Sequence, residues 1–306
     1  MTQQAASERE PGPRPLGPDS LTWKYFGDWR GLLIALWAGS MQNMHPGLGA
    51  GVEQHSRFFT ERWQRLFRSL YPIGGVVYDG PRAHRTALEV RGYHDRIKGV
   101  DSQGRRYHAL DPGTYHWAHA TFFMGTILIA ENFMGGIGET EKHRLFDEHV
   151  QWYRLYDMSM RPVPGSWPEF QRYWQRMCTG VLEDNRATRQ VLDLRELPKP
   201  VAAAWLPAPV WTLLRAPLAR GFVWLTVGMY DPVIRERLGY RWSARDARLH
   251  RLLGRVIHHV FTWVPHDRRY HPRARAGWRR ARGKDAPLVE SPRRNLPPRA
   301  GESSRR

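Results

Sequence analysis

The stretch DPGTYHWAHATFFMGTILIAENFMGG, from Asp111 to Gly136, constrains this chain more than any other. Asp111 offers a side chain to cap the first turn of a helix. Pro112 fits the first helical position, where its missing N–H is not needed, and Gly135 and Gly136 supply a stop. The spacing predicts one helix over roughly 112–133. Tyr115, His119, Phe122, Thr126, Ile129 and Phe133 recur at alternating steps of four and three, which places them on one stripe. A helix this apolar has to be wrapped by other elements. At 306 residues the chain has ample length to wrap it without a metal or disulfide staple.

The wrapping elements also read as helices. They are expected at about 81–98, with His84, Arg91, His94 and Lys98 near one face, and at about 56–70, 140–160 (Thr140 as cap), 167–192, 208–228 and 243–263. Proline-rich breaks such as RPVPGSWP and LPKPVAAAWLPAPV separate some of them, and VDSQGRRYHALDP reads as a turn-rich connection about Gly104. No repeat and no linker interrupts residues 21–270. The expectation is one all-α domain over 21–278, between a polar, Pro/Gly-rich disordered leader (1–20) and a basic disordered tail (279–306).

Charge needs locating before it is interpreted. The formal charge is +18, yet residues 268–306 hold 13 Arg and Lys against 3 Asp and Glu, so ten of those charges lie at the C-terminal end. The body is only modestly basic, and nucleic acid is not the expected partner; the tail could touch anionic surfaces peripherally. The single Cys178 excludes intramolecular disulfides and cysteine-rich zinc sites. ATFFMGTILIA is about half of the ~20 apolar residues that a spanning helix requires. GLLIALWAGSM begins late, after Asp28, with no small-residue cleavage pattern behind it, so a cytoplasmic location is expected.

Four histidines fall between Arg91 and Phe123. A histidine on an apolar helix face is ordinarily a core residue that donates one hydrogen bond to a carbonyl. His119 admits a sharper reading, because a neutral imidazole with aromatic walls suits a haem iron, and Arg91 and His94 on a neighbouring helix could hold a propionate or polarise dioxygen. His116 and His119, three apart, could instead reach one non-haem metal with Glu131 as a carboxylate. There is no HExxH, no GxSxG elbow and no Walker loop, and GLGAG at 47–51 lacks the context of a dinucleotide fingerprint.

The order HPGLGAGVEQHSRF (45–58), RTALEVRGYHDRIKG (85–99), YHALDPGTYHWAHATFF (107–123) and TVGMYDPVIRERLGYRWS (226–243) resembles the MpaB/rubber-oxygenase (latex-clearing protein) catalytic-domain family over roughly 30–280. The resemblance implies a globin-like, all-helical oxygenase binding haem b, with dioxygen as co-substrate. In that family, carbon–carbon double bonds of apolar isoprenoid chains are cleaved. It implies His119 as the proximal iron ligand, with Phe122 and Phe123 as apolar walls, and Arg91 and His94 on the distal side as catalytic residues. The rubber-cleaving branch carries a lysine at the step that His94 occupies here. Two other functions fit the sequence: a haem-binding sensor or carrier without turnover, and a basic helical module for nucleic acid or a membrane surface.

Overall fold

The computed structural model describes residues 13–56 and 61–290. The parts of the leader, the tail and the helix expected from residue 56 that fall on 1–12, 57–60 and 291–306 lie outside the described residues. The fold is all-α. In chain order the elements are α1 (Leu21–Tyr25), a 3-10 segment (Trp29–Ile34), α2 (Ala35–Asn43), α3 (Pro46–His55), α4 (Arg62–Tyr78), α5 (Ala83–Gly92), the strands β1 (Lys98–Val100) and β2 (Arg106–His108), then α6 (Pro112–Phe133) and α7 (Glu139–Arg154). They continue with α8 (Trp167–Arg176), α9 (Arg186–Leu192), α10 (Ala208–Met229), α11 (Pro232–Arg237), α12 (Ala244–Thr262), α13 (His266–Arg269) and α14 (Pro272–Ala281).

The long apolar helix forms where its end signals put it. The Asp111 carboxylate accepts from the Thr114 N–H, and Gly135 and Gly136 turn the chain away at φ +94° and +103°, where a side chain would be strained. α6 is buried on nearly every side, with Trp117, Ala120 and Ile127 as inaccessible as the expected stripe. It is the axis of the molecule. On one flank α2, α8, α9 and the end of α10 gather Trp37, Trp117, Phe170 and Trp174; on the other, α1, α4, α7 and α14 gather Trp23, Tyr78, Trp152 and Tyr153. α6 and α7 lie along the seam between these two apolar clusters.

Elsewhere the elements depart from the sequence reading for identifiable reasons. The helix expected to reach residue 98 stops at Gly92, and β1 pairs with β2 instead, held by the Asp101 carboxylate accepting from the N–H groups of Gln103 and Arg105. The helix expected over 167–192 breaks after a π-turn at Met177–Val181. Arg237, from α11, donates to the carbonyls of Cys178, Thr179 and Leu182 that the break releases. Asn185 then caps α9. At the C-terminal end, α14 runs through residues 279–281, and Arg280 donates to the carbonyls of Tyr78, Ala286 and Pro287. Arg273 pairs with the buried Asp79, so α14 is fastened to α4. Leu16 in the leader is also buried.

Candidate active site

α6 and α7 bring three histidines together at the seam. His119 and His149 stack nearly parallel, centroids 4.4 Å apart, and Phe123 covers the other face of His149 at 4.6 Å. His116, one turn back on α6, stands 5.8 Å from His149. Trp152, Tyr153 and Tyr156 from α7 and the turn after it surround His119 at 4.7, 5.2 and 5.6 Å, and Tyr173 from α8 lies 5.0 Å from His116. Phe122 meets His119 edge-on at 6.5 Å and stacks on Trp152. A helical step of four places His149 and Tyr153 on one face of α7, and the turn that follows adds Tyr156, so this one segment contributes an imidazole and two phenols to the cluster.

The cluster is shielded from bulk solvent, and its polar atoms are short of partners. His119 Nε2–H donates to the His149 carbonyl at 3.3 Å, leaving Nδ1 as an unpaired lone pair. Among the described residues, both ring nitrogens of His116 and of His149, and the hydroxyls of Tyr153 and Tyr173, have no hydrogen-bond partner. Burial disfavours the charged imidazole, pushing His119 down to about 3 and His116 to about 4, and His149 well below the usual histidine range. The same desolvation pushes the Tyr153 and Tyr173 phenols up. At neutral pH the site is therefore a set of uncharged nitrogen donors and protonated phenols in an apolar box. An imidazole with one nitrogen anchored through its N–H and the other bare is poised to ligate a metal.

His94 and Arg91 lie on the far side of two tyrosines. His94 Nδ1–H donates to the Val90 carbonyl at 2.9 Å, and its ring meets Tyr115 edge-on at 5.9 Å. Tyr115 in turn packs on Tyr156, 5.4 Å away, which reaches His119. Arg91 donates to the Tyr156 and Asp157 carbonyls at 3.2 and 3.1 Å, where α7 ends and Asp157 takes φ +48°. Glu89, on the same helix, pairs with Arg85 and not with Arg91. Glu131, weighed as a non-haem ligand, pairs with Lys142. Twelve positions beyond His119, it sits about 18 Å along the helix axis.

The profile of a family described as ER-bound oxygenase mpaB/B′/rubber oxygenase, catalytic domain, matches residues 23–259. This chain belongs to that oxygenase family. No curated protein and no solved structure matches it. The match covers every helix that contributes to the histidine cluster. An mpaB/rubber-oxygenase domain uses dioxygen, which accords with a solvent-shielded interior holding nitrogen donors. No helix among the described residues is long and apolar enough to cross a membrane. His149, Tyr153, Tyr156 and Tyr173 were missed in the sequence. The dipeptide Glu148–His149 is visible there, but its partner histidine is on another helix, 30 residues earlier.

Proposed function

We propose that the protein is a haem b-dependent oxygenase that uses dioxygen on an apolar, isoprenoid- or alkene-like substrate and cleaves it at a carbon–carbon double bond, with His119 as the iron ligand. One observation carries this reading: the Nδ1 lone pair of His119 is buried, uncharged and unpaired in an aromatic cage inside an oxygenase domain. Haem iron, when bound, supplies the dioxygen chemistry that no side chain here can perform. The donor set fits that group better than a non-haem metal. A non-haem centre takes about three converging protein ligands, whereas His119 and His149 stack in nearly parallel planes and Glu131 is drawn off to Lys142. A haem iron asks the protein for only one or two.

The chain's own residues supply the setting. Phe122, Phe123 and Trp152 exclude water and present apolar faces to a hydrocarbon substrate. In this reading His94, its Nδ1–H fixed on the Val90 carbonyl, orients dioxygen together with Arg91. Arg91 also steadies the end of α7 from which Tyr153 and Tyr156 reach His119. The Tyr153 and Tyr173 hydroxyls keep their protons and can donate to an oxygen that develops charge.

The purified protein should show a Soret band and a haem b pyridine haemochrome, and should consume an isoprenoid alkene under air. His119→Ala should purify folded but nearly haem-free, His116→Ala should retain haem, and His94→Ala should keep haem with an altered spectrum. A His119→Ala protein with full haem and an unchanged Soret band would overturn the assignment.

A further inference from the structure

Of the fifteen large apolar side chains left exposed among the described residues, twelve lie between Val201 and Trp263. Exposed leucines scattered singly need no explanation, but such a concentration does. The first half of α10 carries the sharpest case. Val210, Leu213, Leu214, Pro217, Leu218 and Gly221 follow one another at helical steps and form an outward stripe without a charged residue. Leu213 is 76% exposed and Leu218 56%, and Trp205, just ahead of the helix, is 80% exposed.

The charges on α10 itself have one sign. α10 contains no acid, and Arg215 and Arg220 stand on its other sides. Those two, with Arg241, line a cleft of about 520 Å³ whose remaining wall includes Ala219, Val223 and Trp242, and whose one acid, Asp193, is already paired with Arg195. None of the three arginines has a hydrogen bond or ion pair among the described residues. α12, which touches α10 through Trp224–Asp246 and His250–Leu225, repeats the composition: exposed Leu249, Leu252, Val256 and Val260 among arginines. Its one acid, Asp246, is taken by the Ser243 cap and Trp224.

We propose that the outward stripe of α10 is a lipid-docking face that seats the protein on an anionic bilayer, with Leu213, Leu214 and Leu218 at headgroup depth and Arg215, Arg220 and Arg241 taking lipid phosphates. Charge decides between the two occupants an apolar face could have. A second copy of the chain would bring arginine against arginine with no free carboxylate on either helix. An anionic leaflet provides the missing sign, and a helix with leucines on one face and arginines beside them lies in the interfacial plane. The face belongs to the folded body and is separate from the basic tail.

The test is co-sedimentation of the full chain with vesicles of phosphatidylcholine alone or mixed equally with phosphatidylglycerol. The mixed vesicles should capture the protein and the neutral ones much less. Leu213→Glu/Leu218→Glu, with unchanged circular dichroism, should lower capture by at least ~10-fold, because the inserted apolar area is lost. Leu213→Phe/Leu218→Phe should preserve it, as should Val100→Glu, which charges an exposed apolar site elsewhere. Three results would overturn the proposal: the double glutamate variant binding like the parent; binding abolished by replacing Arg293, Arg294, Arg299, Arg305 and Arg306 with glutamine; or a homodimer that the glutamates dissociate while neither protein binds vesicles.

Discussion

Acid should unfold the haem-free protein through its buried histidines, and the size of the effect follows from the cluster. His119 and His116 are held at about 3 and about 4, whereas an imidazole in the unfolded chain titrates near 6.5. Both are neutral in the fold at pH 7 and at pH 5. In the unfolded chain at pH 5, roughly 97% of each is protonated. The folded values lie below the unfolded one, so the stability contributed is complete above ~6.5 and declines as pH falls toward the folded values. At pH 5 each histidine has withdrawn about 2 kcal/mol, a figure insensitive to the folded value so long as it stays below 5. The pair thus removes about 4 kcal/mol, a large part of the 5–15 kcal/mol a domain of this kind holds. His149 shifts in the same direction, and so do His45 and His271 outside the cluster. A comparison therefore has to isolate the pair. Urea unfolding of the haem-free protein, followed by tryptophan fluorescence at pH 7 and pH 5, should show the parent losing about 4 kcal/mol more than His116→Leu/His119→Leu. Equal losses in the two proteins, within ~1 kcal/mol, would refute the claim that burial keeps these imidazoles neutral.

Arg91→Ala should lower turnover at least ~10-fold while costing only about 2 kcal/mol of stability for its two carbonyl bonds, as read by steady-state oxygen consumption and urea melts. A loss of stability with full turnover would leave Arg91 a helix clamp only. Glu148 accepts from the Leu21 and Thr22 N–H groups, the Thr22 hydroxyl and Arg144, so Glu148→Ala should cost about 2–4 kcal/mol by stranding the first turn of α1. Gly254 lies where a methyl group would overlap the Asn132 carbonyl oxygen, so Gly254→Ala should push α12 off α6 and cost about 1–3 kcal/mol, visible as a lower melting temperature.

What was legible in the sequence was what local chemistry decides. Asp111, Pro112 and the Gly135–Gly136 pair mark the ends of α6 within a few residues of the turns they control, and α7, α10 and α12 likewise carry their own periodicity. The break after Val181 was not legible, because Arg237 stabilises it from more than 50 residues away. The ordered stretch 279–290 was hidden for a similar reason, since Arg280 finds its carbonyl on Tyr78 in α4. The β1–β2 hairpin is too short to show a strand period. Within the cluster, His119 and Phe122 stand out on the α6 stripe alone, whereas Phe123 entered only through the family resemblance. His149 does not stand out: its significance arises from a stacking partner on a different helix.

The seam between the two apolar clusters explains why that partner matters. Three imidazoles and two phenols, buried with most of their polar atoms unpaired, are an expensive way to fill a core, since each stranded group costs about 1–3 kcal/mol relative to an apolar one of the same shape. Leucine or phenylalanine would pack the same space between Trp152 and Phe170 without that penalty. Seven of the sixteen stranded side-chain atoms among the described residues come from rings that α6, α7 and α8 turn toward one another, and those three helices strand no others, while nearby polar groups such as Glu148 and Asp79 are fully engaged. A general defect of packing would strand atoms at random along these helices. Along α6, α7 and α8 they gather around His119, which accords with the ligand site proposed there.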